Sequence, residues 1–317
     1  LASGLAYYFK PPVPEIPLGI FMGRCRNLET NFFENCGIAF QRREFPSFHE
    51  LEVHIQKNLQ RGFPILLQGD VAGLPYYKSP MHFPGHKFVV CGFDEGRYTI
   101  ADTAFPGLQV VSADELEKTT SYQNAMWAGA FIAYDFAGQL PELTIERAVQ
   151  SVRNSVARQI AELTIADESF FLSGKAAHDA WLANANFSSM SENPSIKLGA
   201  QFFYQVIEKR GTGGGAFRGI YLDFVNELLE DRLFPFAVHE ALFRSPAQAV
   251  KLLTDLQVFV RQSQQTLSEI ASTYKNLSLR KNSDSDGERR LQLQLLSLWR
   301  FETGITDVLL SLKNEFR

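Results

Sequence analysis

Cysteine is scarce in this chain: there are three in 317 residues. Cys25, Cys36 and Cys91 are irregularly spaced and form no CxxC pair. That excludes a disulfide framework and a cysteine metal site. It also fits a reducing cytosol, so a cytoplasmic location is expected. An excess of positive charge is lacking too. A formal net charge of −4 gives no electrostatic footprint for nucleic acid or an anionic membrane surface. No apolar run reaches the roughly 18 residues of a membrane helix, and no signal-peptide pattern is visible. His82 and His86 lie four apart in a Pro- and Gly-containing loop, where that spacing does not put two rings on one face. No metal site and no resident cofactor are therefore expected. A convincing internal repeat is also missing.

What remains is ordinary globular material, 45% hydrophobic and 21% charged. The chain is long for one hydrophobic core, so two domains are expected, 1–138 and 139–317. The boundary falls near Ala137 to Glu142, AGQLPE, where Gly and Pro separate the strand-like run Trp127 to Phe136 from a long helical pattern. Before it, the reading gives a helix around Arg26 to Asn35, a strand at Ile38 to Phe45, a helix at Phe48 to Gln60 and a short strand at Leu108 to Val111. Ser112 with Glu115 three residues on is a capping box for a short helix. After the boundary come helical stretches at Ile145 to Leu163, Ile196 to Lys209, Phe217 to Leu229, Pro246 to Tyr274 and Arg289 to Asn314, with Asn282 to Gly287 as a polar loop. The fold class is α+β with an antiparallel sheet, followed by an all-α domain. The 27 phenylalanines imply large aromatic cores or an apolar substrate groove.

The most informative stretch is Pro64 to Asp102, PILLQGDVAGLPYYKSPMHFPGHKFVVCGFDEGRYTIAD. Pro64 to Gln68 is a short apolar run. Lys87 to Phe93 is a second one, entered through Gly85-His86. The Asp94-Glu95-Gly96 turn reverses the chain into Arg97 to Ala101, whose strand ends at Asp102. His86 and Asp102 are thus expected side by side, an imidazole held in one tautomer by a carboxylate with its other nitrogen free to activate a nucleophile. No cysteine has the setting of that nucleophile, the start of a helix. Cys91, inside the strand that begins at His86, is expected to be a small buried hydrophobe, and five residues along it faces away from His86.

Three phrases, GLPYYKSPMHFPGHKFVVCGFD, YTIADTAFPGLQVVSADEL and IEKRGTGGGAFRGIYLDFVNE, together resemble the butirosin biosynthesis protein H family over nearly the whole chain. The resemblance implies a papain-like N-terminal domain, related to bacteriocin-processing cysteine peptidases, and a helical C-terminal domain carrying the GTGGG-F-R word. It implies an acyltransferase that takes an aminoacyl group from a carrier-protein thioester to an amine, through a Cys-His-Asp site. Its matching residues here are His86 and Asp102. Family members carry the cysteine in a His-Cys word upstream of a glycine-rich phrase that Leu1 to Phe9 continues, so the nucleophile is expected upstream of Leu1. A trimmed chain, a processed protein and a member without its nucleophile stay open as explanations.

Three further features bear on function. Asp70 ends the first strand and leads into the loop before His86; it is read either as a carboxylate recognising an amine in the cleft or as a turn cap. Tyr76 and Tyr77 in that loop are read as stacking on an acyl or sugar moiety, or as half-buried packing residues. In Glu208 to Arg218, EKRGTGGGAFR, a glycine-rich turn feeds a helix, so Gly213, Gly214, Gly215 and Arg218 form a candidate site for the phosphate of a phosphopantetheine arm. The structural alternative makes these glycines close-approach residues and pairs Glu208 with Arg218. His49, His54, His178 and His239 are read as surface or packing residues.

The expected partners are an acyl carrier protein and a small-molecule amine acceptor, with a homo-oligomer open and no nucleic acid or membrane. Two function classes follow. One is a cysteine-dependent acyltransferase, which becomes a peptidase or amide hydrolase if water replaces the amine. The other is a catalytically inactive relative that serves as a binding or scaffold subunit.

Overall fold

A computed structural model of the chain describes residues 5–14, 16–23, 28–80, 82–123, 129–136, 142, 144–164, 171–185, 193–209, 214–230, 236–279 and 285–317. In chain order it opens with β1 (Tyr8–Lys10), β2 (Ile20–Met22) and α1 (Leu28–Asn35). There follow β3 (Phe40–Glu44), α2 (Phe48–Gln60), β4 (Ile65–Gly69), β5 (His86–Asp94), β6 (Arg97–Ala101), β7 (Gln109–Ser112), α3 (Ala113–Ser121) and β8 (Ile132–Phe136). The remainder is α4 (Ile145–Thr164), β9 (Leu172–Ser173), α5 (Gly174–Ala183), α6 (Pro194–Glu208), α7 (Arg218–Glu230), α8 (Phe236–Leu242), α9 (Pro246–Leu279) and α10 (Ser285–Asn314). The chain is thus α+β. It divides into two compact units, 38–140 and the combination of 1–37 with 141–317.

The 38–140 unit is built on an antiparallel sheet of order β3-β8-β4-β5-β6-β7. Its strands alternate, so one face carries Ile65, Leu67, Phe88, Val90, Tyr98, Ile100 and Val111 into a core closed by Leu51 and Ile55 of α2 and Leu116 of α3. Both helices start where the sequence demands. The Ser47 hydroxyl accepts from the Glu50 N–H, and Ser112 with Glu115 makes both bonds of a capping box. Two glycines let α3 approach the end of β4. A Cβ at Gly69 would stand 2.4 Å from Thr119 Cγ2, and one at Gly73 would stand 2.5 Å from Thr119 Oγ1. The strand end that faces His86 is therefore pinned against a helix.

Cys91 departs from expectation. The ladder pairs Val90 with Ile100 and Gly92 with Thr99, which leaves Cys91 as the extra residue of a β-bulge. Its side chain is exposed rather than buried, with Sγ 3.5 Å from the Thr99 carbonyl. A bulge breaks strict alternation, and period-two reading has no access to it.

The other unit groups residues 1–37 with 141–317, a different division from the expected 1–138 domain. β1 and β2 pair with each other, and β1 pairs with β9, in a small sheet of order β2-β1-β9. Phe9 and Phe21 from these strands join Trp181, Phe203 and Tyr274 in one aromatic core. The ring centroids of Phe21 and Trp181 are 4.7 Å apart, and the indole N–H donates to the Tyr274 hydroxyl at 2.8 Å. Three-residue strands carry too little pattern to register in sequence, yet their aromatic side chains tie residues 1–37 to the helices. A second core gathers α4, α7, α8, α9 and α10 around Val152, Val225, Leu256 and Leu309. α10 begins at Ser285, inside the expected polar loop, because Asp286 and Glu288 suit the positive end of a helix. The rest of that loop, the boundary phrase AGQLPE apart from Glu142, Trp127, Cys25 and Gly213 lie outside the described residues.

Replacing Trp181, 1% exposed, with alanine removes the centre of this aromatic cluster. The expected cost is about 3–5 kcal/mol, read as a fall in the urea midpoint of the Trp181→Ala protein against wild type.

Candidate functional site at the end of the sheet

The β5–β6 hairpin turns at Glu95 and Gly96, with φ of 45° and 77°, the handed pair that matches strand twist. Across it Val89 pairs with Ala101. This register sets the residues just beyond, His86 at the start of β5 and Asp102 after β6, beside each other. His86 Nε2 lies 2.7 Å from Asp102 Oδ2. The His86 side chain is 16% exposed and that of Asp102 is 0% exposed, so the carboxylate is sealed behind the ring.

Four donors converge on Asp102. Besides His86, the hydroxyls of Tyr76 and Tyr77 donate to it at 3.1 and 3.3 Å, and the Ala104 N–H donates at 3.1 Å. Burial pushes the Asp102 carboxyl up, but the bonds from His86, Ala104 and Tyr76 outweigh that and hold it below the usual carboxylate range. Both phenols are raised well above their ordinary value, first by burial and then by the Asp102 charge, so they stay protonated as donors. An ionised Asp102 only accepts. Nε2 of a neutral His86 must therefore carry the proton, which leaves the Nδ1 lone pair free; no described residue bonds to Nδ1. The result is an imidazole fixed in one tautomer with a basic edge, the arrangement that takes a proton from a thiol or hydroxyl.

The neighbouring expectations fare differently. Tyr76 and Tyr77 turn their polar ends into the protein. Their hydroxyls serve Asp102, and both rings stand edge-on to Phe105 at centroid distances of 5.0 Å. Asp70 does not line a cleft either. It is 2% exposed, with Oδ1 accepting from the Phe83 N–H at 2.5 Å and Oδ2 2.6 Å from His82 Nδ1. His82 stacks on Tyr122 with centroids 4.1 Å apart. Cys91 lies on the bulge with its sulfur toward the Thr99 carbonyl, and Cys36 follows α1 in the other unit.

The described end of the glycine-rich word, from Gly214 on, is held by internal contacts. Gly214 and Gly215 have φ of 83° and 55°, and a Cβ on Gly215 would meet Gln264 Cγ at 2.7 Å. The Gly215 N–H donates to Glu208 at 3.3 Å. Arg218 is 0% exposed and pairs with Glu302 at 2.8 Å, also reaching the Ser263 hydroxyl at 3.0 Å and the Ala216 carbonyl at 2.9 Å. Its guanidinium is taken up by these internal partners, and in place of the Glu208–Arg218 pair of the structural alternative stands Arg218–Glu302. Of the other histidines, His54 bonds Asp135 at 2.8 Å. His178 is buried, 2.9 Å from the Tyr7 hydroxyl, and its burial lowers it to about 4. Among the described residues there is no cluster of three or more His, Cys, Asp or Glu to hold a metal, and no helix is long and apolar enough to cross a membrane.

Fold and site define an α+β protein with a carboxylate-oriented imidazole at the end of an antiparallel sheet and a separate, largely helical unit. Residues 1–103 match butirosin biosynthesis protein H, N-terminal, and residues 114–292 match a domain of unknown function, DUF4872. The chain belongs to the butirosin biosynthesis protein H family, whose name ties it to antibiotic biosynthesis. None of the curated proteins compared with it matches.

Two outcomes follow from this geometry. Because the folded Asp102 carboxyl lies below its unfolded value, its contribution to stability is complete above about pH 4 and disappears as pH falls through the depressed value. Asp102→Asn should flatten that acid limb in urea midpoints measured from neutral pH downward. Arg218→Ala leaves Glu302 buried without its cation. It should cost about 3–5 kcal/mol, whereas a phosphate-binding arginine at the surface would cost almost nothing.

Proposed function

We propose that this protein is a cysteine-dependent acyltransferase of natural-product biosynthesis. His86 serves as base and then acid, and Asp102 orients it. The observation that carries the reading is the 2.7 Å contact between His86 Nε2 and a fully buried Asp102, with Nδ1 left open. A thiolate facing Nδ1 attacks the carbonyl of a carrier-bound thioester and expels the carrier thiol, forming an acyl-cysteine. An amine then attacks that carbonyl, gives its proton to His86 and releases the thiolate. By the family resemblance the thiol belongs to a His-Cys word. Water in place of the amine would make the same site a hydrolase, and only the resemblance favours the amine.

A binding role without catalysis draws support from one observation. Cys91, the cysteine on the same strand as His86, is directed to the Thr99 carbonyl and does not meet the imidazole.

The test uses the natural full-length gene product with aminoacyl N-acetylcysteamine thioesters as donors and a panel of amines, followed by intact mass and product analysis. An acyl adduct on a cysteine is expected. His86→Ala should cut transfer about 10²–10⁴-fold, as should Asp102→Ala, each with an unchanged circular dichroism spectrum. No adduct with any donor would leave the binding role as the better account, whereas full transfer by either variant would reject the roles given to His86 and Asp102.

A further inference from the structure

The loop between β4 and β5 is closed at its neck before it reaches His86. Asp70, the residue after β4, touches neither His86 nor Asp102 in any described hydrogen bond. Its Oδ1 takes the Phe83 N–H at 2.5 Å, its Oδ2 takes His82 Nδ1 at 2.6 Å, and beside it the Val71 N–H reaches the Phe83 carbonyl at 3.3 Å. The outgoing leg has anchors of its own. Gly73 packs on Thr119, and Leu74, 1% exposed, lies in the core. The returning leg contains Pro80 and Pro84, which lack an N–H, and passes Lys78 at a φ of 50°. It ends in His86, four residues after the clamped His82. The loop also carries Tyr76 and Tyr77, whose hydroxyls grip Asp102.

We infer that Asp70 is a positioning residue for the His86–Asp102 pair, acting through the neck of this loop. The inference rests on the proposed function for its kinetic consequence but not for its geometric one. Asp70 is buried at 2% exposure, and a buried carboxylate persists only with partners that compensate its desolvation. Here those partners are on the leg that delivers the imidazole. Breaking the clamp frees that leg and lets the His86 ring leave the line of Asp102. A misplacement of about 1 Å is worth about 100-fold in rate. Substrate binding is not engaged by this carboxylate, so the effect falls on kcat and not on KM.

The experiment compares Asp70→Ala, Asp70→Asn and wild type in the natural full-length protein labelled with ¹⁵N-histidine. Long-range ¹H–¹⁵N spectra, recorded above the imidazole titration range, report the His86 tautomer; His86→Ala assigns the resonance. Wild type is expected to show the single Nε2–H tautomer and Asp70→Ala an averaged one. Asp70→Asn, whose amide oxygen still accepts from the Phe83 N–H and whose NH2 donates to a neutral His82 Nδ1, keeps both contacts and should restore the single tautomer. With the thioester donors above, Asp70→Ala should lower kcat about 10- to 100-fold at nearly unchanged KM, with rescue by Asp70→Asn. A single, unshifted Nε2–H tautomer in folded Asp70→Ala overturns the inference. If that variant does not fold, His82→Phe, which removes the Nδ1 contact and keeps a ring against Tyr122, decides by the same spectrum: averaging supports positioning and a fixed tautomer overturns it. A shifted tautomer in a protein that transfers no acyl group would sustain the positioning role and reject the acyltransferase reading.

Discussion

A carboxylate sealed from water is costly unless every lone pair finds a donor, and Asp102 meets that constraint with His86, Tyr76, Tyr77 and the Ala104 N–H. Those four groups come from the start of one strand, the middle of a loop and the turn after another strand. Satisfying one side chain therefore fixes the relative positions of three chain segments. The ionised state follows from the same bonds, and from it the His86 tautomer. The sheet supplies the frame: the Gly69–His86 pairing places the imidazole, and Gly69 and Gly73 let α3 hold the opposite strand end in place.

The largely helical unit also buries a carboxylate, Glu302, whose Oε1 takes all of the bonds from Arg218 and Ser263. Arg218 and Glu302 are both buried, and their attraction is supported by Ser263 and by the Ala216 carbonyl. A buried ion pair is weak evidence of stability by itself, because an apolar pair of the same volume does as well. Its effect here is local. It holds the first residue of α7 to α9 and α10, so the glycine-rich turn before it has a single path. The glycines serve that path through close approach, as Gly215 against Gln264 illustrates.

Much of this was legible beforehand, because the signals were local. Ser47 and the Ser112–Glu115 box mark helix starts whose bonding partners lie within three residues. The Glu95-Gly96 turn dictates a hairpin, and a hairpin fixes which residues face each other, so His86 and Asp102 could be paired from spacing. The failures share one cause, a partner distant in sequence. Glu302 is 84 residues from Arg218, and nothing in the intervening text points to it. Tyr76 and Tyr77 stood out as adjacent tyrosines before a histidine, but their hydroxyl partner is 25 and more residues on. Asp70 was visible as a strand-end carboxylate, and its capture by the returning loop was not.

The sequence by itself determined the α+β class, the helix and strand order around the site and the His86–Asp102 pairing, since period, caps and turn residues act over a few positions. Tertiary structure alone decided that residues 1–37 join the helices, that Cys91 sits exposed on a bulge and that Asp70, Tyr76, Tyr77 and Arg218 are tied into internal carboxylate networks. Each depends on which buried polar or aromatic group meets which other across long loops, and burial energy is settled only when the whole unit closes.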